Sequence, residues 1–230
     1  NRGSSQLHYT QKNMIANIYK PVSWTSFDVV KKLRNIVHEK KVGHGGTLDP
    51  FAEGVLIIGT GKDTKSLTHI AACDKTYEAT VKIGVGTDTM DREGKVIETA
   101  PVPNLTINQI KKTFAGFLGA QKQTPPMYSA KRIKGVRLYK LARKNQTVHR
   151  DPVDINIHEL QLISYDSPFL RFSVKCSKGT YVRVLGHDIV KSLGTAGHLT
   201  KLIRTSVGEF HVKNSLTIDK FSEQWLSIEA

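Results

Sequence analysis

Apolar residues recur along this chain at two spacings, and the changes from one spacing to the other mark out its elements. Met14–Tyr19 reads as a short first strand. Thr25 or Ser26 can cap a helix whose apolar positions, Phe27, Val30, Leu33 and Val37, fall three or four residues apart. The run Gly54-Val-Leu-Ile-Ile-Gly59 is apolar throughout its centre and predicts a buried strand. From Thr76 to Val85 the pattern becomes alternation, with Tyr77, Ala79, Val81 and Ile83 on one face and Glu78, Thr80 and Lys82 on the other. Gly86–Gly94 has turn chemistry. Thr106-x-x-Gln109 is a capping box that opens a helix with Ile107, Ile110, Phe114 and Phe117 along one side. Gln121–Lys134 reads as irregular, and Leu138–Lys144 suits a short helix. Asp154–His158 and Leu160–Tyr165 predict strands whose alternation slips near His158-Glu159, which indicates a bulge. Leu170, Phe172, Val174 and Cys176 alternate in a further strand. Val182, Leu185, Ile189 and Leu193 mark a helix, and a second helix is predicted near Thr195–Leu202. Strands outnumber helices without alternating strictly with them. The expected class is therefore α+β (mixed α/β), built around one sheet rich in antiparallel pairs.

Composition narrows the function classes. The 230 residues are 39% hydrophobic, enough for one full core, and no apolar run approaches the roughly 18 residues of a membrane span. Residues 1–13 are polar and lack the apolar centre of a signal peptide, so they read as a disordered arm or a cloning remnant. A cytoplasmic protein is expected. Cys73 and Cys176 lie far apart, and the nine histidines are scattered without ligand spacing, so neither a disulfide nor a metal site is expected. Charge is the stronger clue. Thirty-four Lys and Arg against 20 Asp and Glu leave a net +14, and the excess is segregated. Thr99 to Arg150 holds no acidic residue and eleven basic ones, and Ser167 to His187 is a second acid-free span. Such segregation sets up a positive field that attracts a polyanion, and it points to nucleic acid.

One segment carries candidate chemistry. In Gly43-His44-Gly45-Gly46-Thr47-Leu48-Asp49-Pro50 three glycines permit unusual backbone conformations and close approach by a ligand, while Pro50 biases Asp49 toward an extended form. The buried strand that follows would anchor the loop. Asp49 is thus the one acid in a glycine-lined turn. The plainer alternative is a tight turn with a helix-capping aspartate. Gly59-x-Gly61-Lys62 lacks the spacing of a phosphate-binding P-loop.

The flanks of that loop, Lys41 to Lys65, strongly resemble the signature of the TruB-type tRNA pseudouridine synthases. Four more segments resemble the family in its own order: Lys20-Pro21-x-x-Trp24-Thr25-Ser26, Lys75-Thr76-Tyr77, Pro125-Pro126-Met127-Tyr128-Ser129-Ala130, and Ser177-Lys178-Gly179-Thr180-Tyr181-Val182-Arg183. The resemblance runs from about Ile15 to about Phe221. It implies the pseudouridine synthase fold, a central mixed, largely antiparallel sheet flanked by helices. It also implies a single catalytic domain, here 14–230, with a basic RNA-binding insertion at about 120–150. The family usually adds a small C-terminal PUA-type domain, which is expected to be absent here or cut away, since the sequence stops at Ala230. The implied reaction is conversion of a T-loop uridine of tRNA, at position 55, to pseudouridine. No cofactor is implied. The implied partner is the tRNA T-stem-loop, bound by a monomer.

The resemblance also assigns residues. Asp49 is the catalytic carboxylate, acting by attack at C1′, by attack at C6, or on a glycal route. Arg183 is its expected partner, since a guanidinium fixes a carboxylate by paired hydrogen bonds. Tyr77 stacks on the extruded base or accepts a proton. Tyr181 and Leu202 line the pocket, and His44 fills the place the flipped nucleotide leaves. Lys20, Arg132, Arg137, Tyr139 and Arg143 are expected to contact the RNA backbone or stack on it. Ser23 stands where the family usually has glycine, Gly45 where many members have threonine, and Arg132 where lysine is commoner. The alternative from another class is a non-catalytic RNA chaperone that unfolds the T-loop.

Overall fold

The structure, a computed structural model, describes residues 13–229 with the exception of Lys134. In chain order it begins with β1 (Ile15–Lys20), α1 (Ser26–Val37), β2 (Val42–His44), β3 (Glu53–Thr60) and α2 (Leu67–Ala72). Next come β4 (Lys75–Ile83), β5 (Val85–Thr87), β6 (Val96–Thr99), α3 (Ile107–Ala115) and β7 (Gly119–Gln123). The two-residue strands β8 (Arg132–Ile133) and β9 (Val136–Arg137) precede α4 (Leu138–Ala142). The rest is β10 (Val153–Asp166), β11 (Phe169–Cys176), α5 (Val182–Ser192), β12 (Gly197–Val207), β13 (Phe210–His211) and α6 (Ile218–Glu229). The main sheet has the order β1-β3-β12-β4-β11-β10-β7, with β2 also on β3 and β13 on β12. The ladders β1/β3, β2/β3, β10/β11, β7/β10 and β12/β13 are antiparallel, whereas β3/β12 is parallel. The sheet is mixed and mostly antiparallel, as expected.

By internal contacts the chain divides into two compact units, one ending at Thr76 and resuming at Ile203, the other Tyr77–Leu202. In the first unit β3 is buried on both faces. Leu56 and Ile58 pack with Ile18, Val29, Leu33, Phe221 and Trp225, so α1 and α6 cover that side. Val55 and Ile57 pack with Leu67, Ile70 and Val207 on the other. Helix α1 starts where predicted, because Thr25 and Asp28 form a reciprocal capping box. Its inward stripe is Ser26, Val29, Val30, Leu33 and Val37, and Phe27 is 62% exposed. The cap sets the helical phase, so Phe27 lies about 100° round from the inward Ser26.

In the second unit β4 alternates as expected, with Tyr77, Ala79, Val81 and Ile83 buried. The two strands read at 154–165 are one long strand, β10, whose register against β11 shifts between Ile157 and Glu159, where the bulge was expected. Phe114 of α3 meets Phe172 of β11 edge-on at 5.8 Å between ring centroids. The helix predicted near Thr195–Leu202 is instead strand β12. The inward residues of its second half are Leu202, Arg204 and Ser206, and two polar residues in a buried row break the apolar alternation that would have shown a strand. The stretch from Gln121, read as irregular, opens inside β7, which pairs with β10 while carrying few apolar residues.

Cys73 and Cys176 are free thiols. Among the described residues no helix is long and apolar enough to cross a membrane, and no three His, Cys, Asp or Glu are grouped to hold a metal. The arm read at residues 1–13 lies outside the described residues except for Asn13, whose side-chain carbonyl accepts the Lys62 N–H at 2.6 Å.

Candidate active site

The loop with Asp49 belongs to the first unit and is built from its backbone outward. Strand β2 pairs with β3 through Gly43 opposite Gly59 and His44 opposite Ile58, and the Gly45 N–H donates to Ile57 at 2.8 Å. The crossing is tightly packed against α2. A Cβ on Gly43, Gly45 or Gly59 would stand 3.0–3.2 Å from Leu67 or Ile70 of α2. Gly46 then takes φ 120, a turn that other residues enter only under strain. His44 and Asp49 are half-buried. The element after Asp49 is strand β3 and not a helix, so Asp49 is not a helix cap.

The neighbours of Asp49 are held by groups from distant segments. Ser26 Oγ accepts the Leu48 N–H at 2.9 Å and donates to the Leu48 carbonyl at 3.2 Å. The Pro50 carbonyl accepts from the Ser23 N–H at 2.8 Å and from Lys20 Nζ at 3.3 Å. The Asp49 carbonyl accepts the Ala52 N–H at 3.1 Å. Arg204 of β12 reaches the carbonyls of Gly46, Thr47 and Val55. At the foot of β3 the Tyr19 hydroxyl donates to Glu53 at 2.7 Å. Burial and that carboxylate push the phenol up to about 12.

Lys20 requires a correction. It was expected to contact RNA, but it is fully buried, and its ammonium donates to Pro21 and Trp24 carbonyls at 2.8 and 2.6 Å as well as to Pro50. No phosphate can approach it in this conformation. Ser23 adopts φ 70, the left-handed region that suits glycine.

In the second unit Tyr77 opens the buried face of β4 and is 8% exposed. Arg183 sits in the first turn of α5, buried. It donates to the carbonyls of Thr89 and Tyr128, both at 2.7 Å, and lies 3.5 Å from Asp91. Asp91 was missed in the sequence because it sits in a segment read only as a turn. It is 5% exposed and also accepts from Thr89 Oγ1 and the Glu93 N–H. A second residue passed over is Gln123, at the end of β7. Its side-chain amide accepts the Tyr181 N–H at 2.7 Å and donates to the Tyr181 carbonyl at 3.2 Å. Gln123 thereby fixes the backbone just before Arg183. Tyr181 is half-buried, and Leu202 is buried near the middle of β12.

The basic segment has another character. Arg132, Arg137 and Arg143 are exposed, and Tyr139 is half-buried. Arg132 and Arg137 stand directly opposite each other in the β8/β9 hairpin. Like charges in that position repel, and an anion between them removes the penalty. Arg137 donates to the Tyr139 hydroxyl at 3.4 Å, which draws that phenol below its ordinary value, and the Arg143 guanidinium lies 5.4 Å from the Tyr139 ring centroid.

Residues 34–182 match the model of the TruB family pseudouridylate synthase N-terminal domain. The tRNA pseudouridine synthase B of Caldanaerobacter subterraneus subsp. tengcongensis is 45% identical over 91% of this chain and 74% of its own length. The protein of that name from Opitutus terrae is 44% identical over 87% of this chain and 83% of its own. A chain in a Cbf5-Nop10-Gar1 complex superposes with a TM-score of 0.75 at 24% identity, covering 95% of this chain and 56% of that one. At that identity the likeness bears on the fold alone. The family model spans more than half the chain and the relatives match nearly all of it, so the chain belongs to the TruB family of pseudouridylate synthases, which are isomerases.

Proposed function

We propose that this chain converts a uridine of tRNA, at position 55 in the T-loop, to pseudouridine, with Asp49 as the reacting carboxylate. What supports this most is the loop: the backbone on both sides of Asp49 is fixed by Ser26, Ser23 and Arg204. A catalytic group held in place before substrate arrives needs no ordering at the moment of reaction. The names of the relatives supply the tRNA, and the segregated positive charge suits it.

The reaction needs no net change of atoms. The C1′–N1 bond breaks, the uracil turns, a C1′–C5 bond forms, the C5 proton leaves to solvent and N1 takes up a proton. Asp49 serves the transfer through C1′, C6 or a glycal. Tyr77 stacks on the base or accepts a proton, and Arg183 is the cation of the reaction centre. Arg132, Arg137, Tyr139 and Arg143 grip the RNA backbone, which positions the substrate without reading its sequence. Since the C5 proton must be lost, unmodified tRNA labelled with tritium at uridine C5 should release tritium to water, at one site. An RNA chaperone would bind the same RNA and release none, and that result would overturn the proposal.

A further inference from the structure

Arg204 is 1% exposed, on a strand where an apolar side chain would be the stable choice. Burying a guanidinium is costly unless its donors are satisfied. Among the described residues it meets no carboxylate. Its Nε donates to the Val55 carbonyl at 2.7 Å, one terminal nitrogen to Thr47 at 3.3 Å and the other to Gly46 at 3.1 Å. The planar fork of an arginine can serve three acceptors at once, as a lysine ammonium on its flexible stem cannot in the same geometry.

The three acceptors are not scattered. Gly46 and Thr47 lie just before Asp49, and Val55 lies six residues after it, so one rigid side chain ties together both ends of the loop. Gly46 reaches the guanidinium from φ 120. Gly54 takes φ 108 where β3 runs beside β12 opposite Arg204, and a Cβ there would collide with the Arg204 carbonyl. Gly54 thus makes room for the strand that carries Arg204, and Gly46 supplies the turn that brings its carbonyl to the guanidinium. Ser26 and Ser23 hold Leu48 and Pro50, but each holds a single residue of the loop.

We propose that Arg204 is a positioning residue that aims the Asp49 carboxylate by clamping the two ends of its loop. The inference rests on Asp49 being the reacting group. The test compares wild type with Arg204→Lys and Arg204→Met, with Asp49→Asn in parallel. Tritium release is measured in single turnover with protein saturating over labelled tRNA, alongside RNA affinity and thermal melting. The expected result is a rate constant lower by about 100-fold in Arg204→Lys, with RNA affinity unchanged. Arg204→Met should be slower still. A merely structural role would lower the melting temperature and the fraction of active protein, while leaving the rate constant of the folded fraction at its wild-type value; that result overturns the proposal. Wild-type turnover by Asp49→Asn would instead show that the assignment of Asp49 has failed. Should both Arg204 variants fail to fold, hydrogen exchange of the wild-type protein decides. The Leu48 and Ala52 amides must be protected as strongly as Gly45, and exchange at the rate of an open turn overturns the clamp.

Discussion

The Asp49 loop and the 131–144 segment both depend on cations, and they use them in opposite directions. Around the loop, Lys20 and Arg204 are buried and give their donors to backbone carbonyls. In the 131–144 segment Arg132, Arg137 and Arg143 face solvent on two-residue strands and at the end of a short helix. The first arrangement gives a rigid backbone and no free charge. The second gives free charge on a lightly built scaffold. A net charge of +14 therefore overstates what an anionic partner meets, because some of the strongest cations act as internal struts.

Breaking an inward contact should show as lost stability that salt leaves alone. The largest effect is expected at Asp91, since Arg183 is equally buried. Asp91→Ala strips a buried guanidinium of an anion and should cost about 3–5 kcal/mol in urea unfolding. A loss below that of an ordinary surface substitution would show that the ion pair is not an anchor. Breaking the outward contacts should do the reverse. Arg132→Ala, Arg137→Ala and Arg143→Ala together should leave the melting temperature unchanged. If each meets a phosphate, the dependence of log K on log salt should flatten by roughly two to three units. An unchanged slope would remove this face from the RNA interface.

Two smaller effects sharpen the picture of the first unit. Tyr19 has its folded pKa raised from 10.0 to about 12 through burial and Glu53. The neutral phenol is the form the fold favours, so its contribution is complete below pH 10 and is lost as pH rises through 12. Melting curves of wild type should fall over that window more steeply than those of Tyr19→Phe. Ser23→Gly relieves a left-handed serine but adds chain entropy, so it should stabilise by less than about 1 kcal/mol. Clear destabilisation would mean that the serine side chain does more than fill the turn.

The sequence shows the parts of the fold that obey one period. The continuous apolar run of β3, the alternation of β4 and β11, and the bulge at His158 are all legible because side-chain pattern and burial agree there. It hides β12, where Arg204 and Ser206 occupy inward positions, and β7, whose only wholly buried residue is Gln123. The same polar burials hide half of the candidate site. Asp49, Tyr77 and Arg183 stand out through motifs. Arg204, Gln123 and Asp91 act on backbone or on other side chains, and their partners lie 58 to 158 residues away or in a turn that looks ordinary. Lys20 was misjudged for the same reason, because a lysine in sequence looks like surface charge whichever way it points.

The most direct test of the central claim is single-turnover tritium release by Asp49→Asn, with RNA binding measured on the same preparation. The carboxylate-to-amide change keeps shape and leaves the Ser26, Ser23 and Arg204 contacts to the backbone in place. The account predicts wild-type affinity for tRNA and no release above the uncatalysed background. Release at a rate near wild type from the fully bound RNA would contradict it.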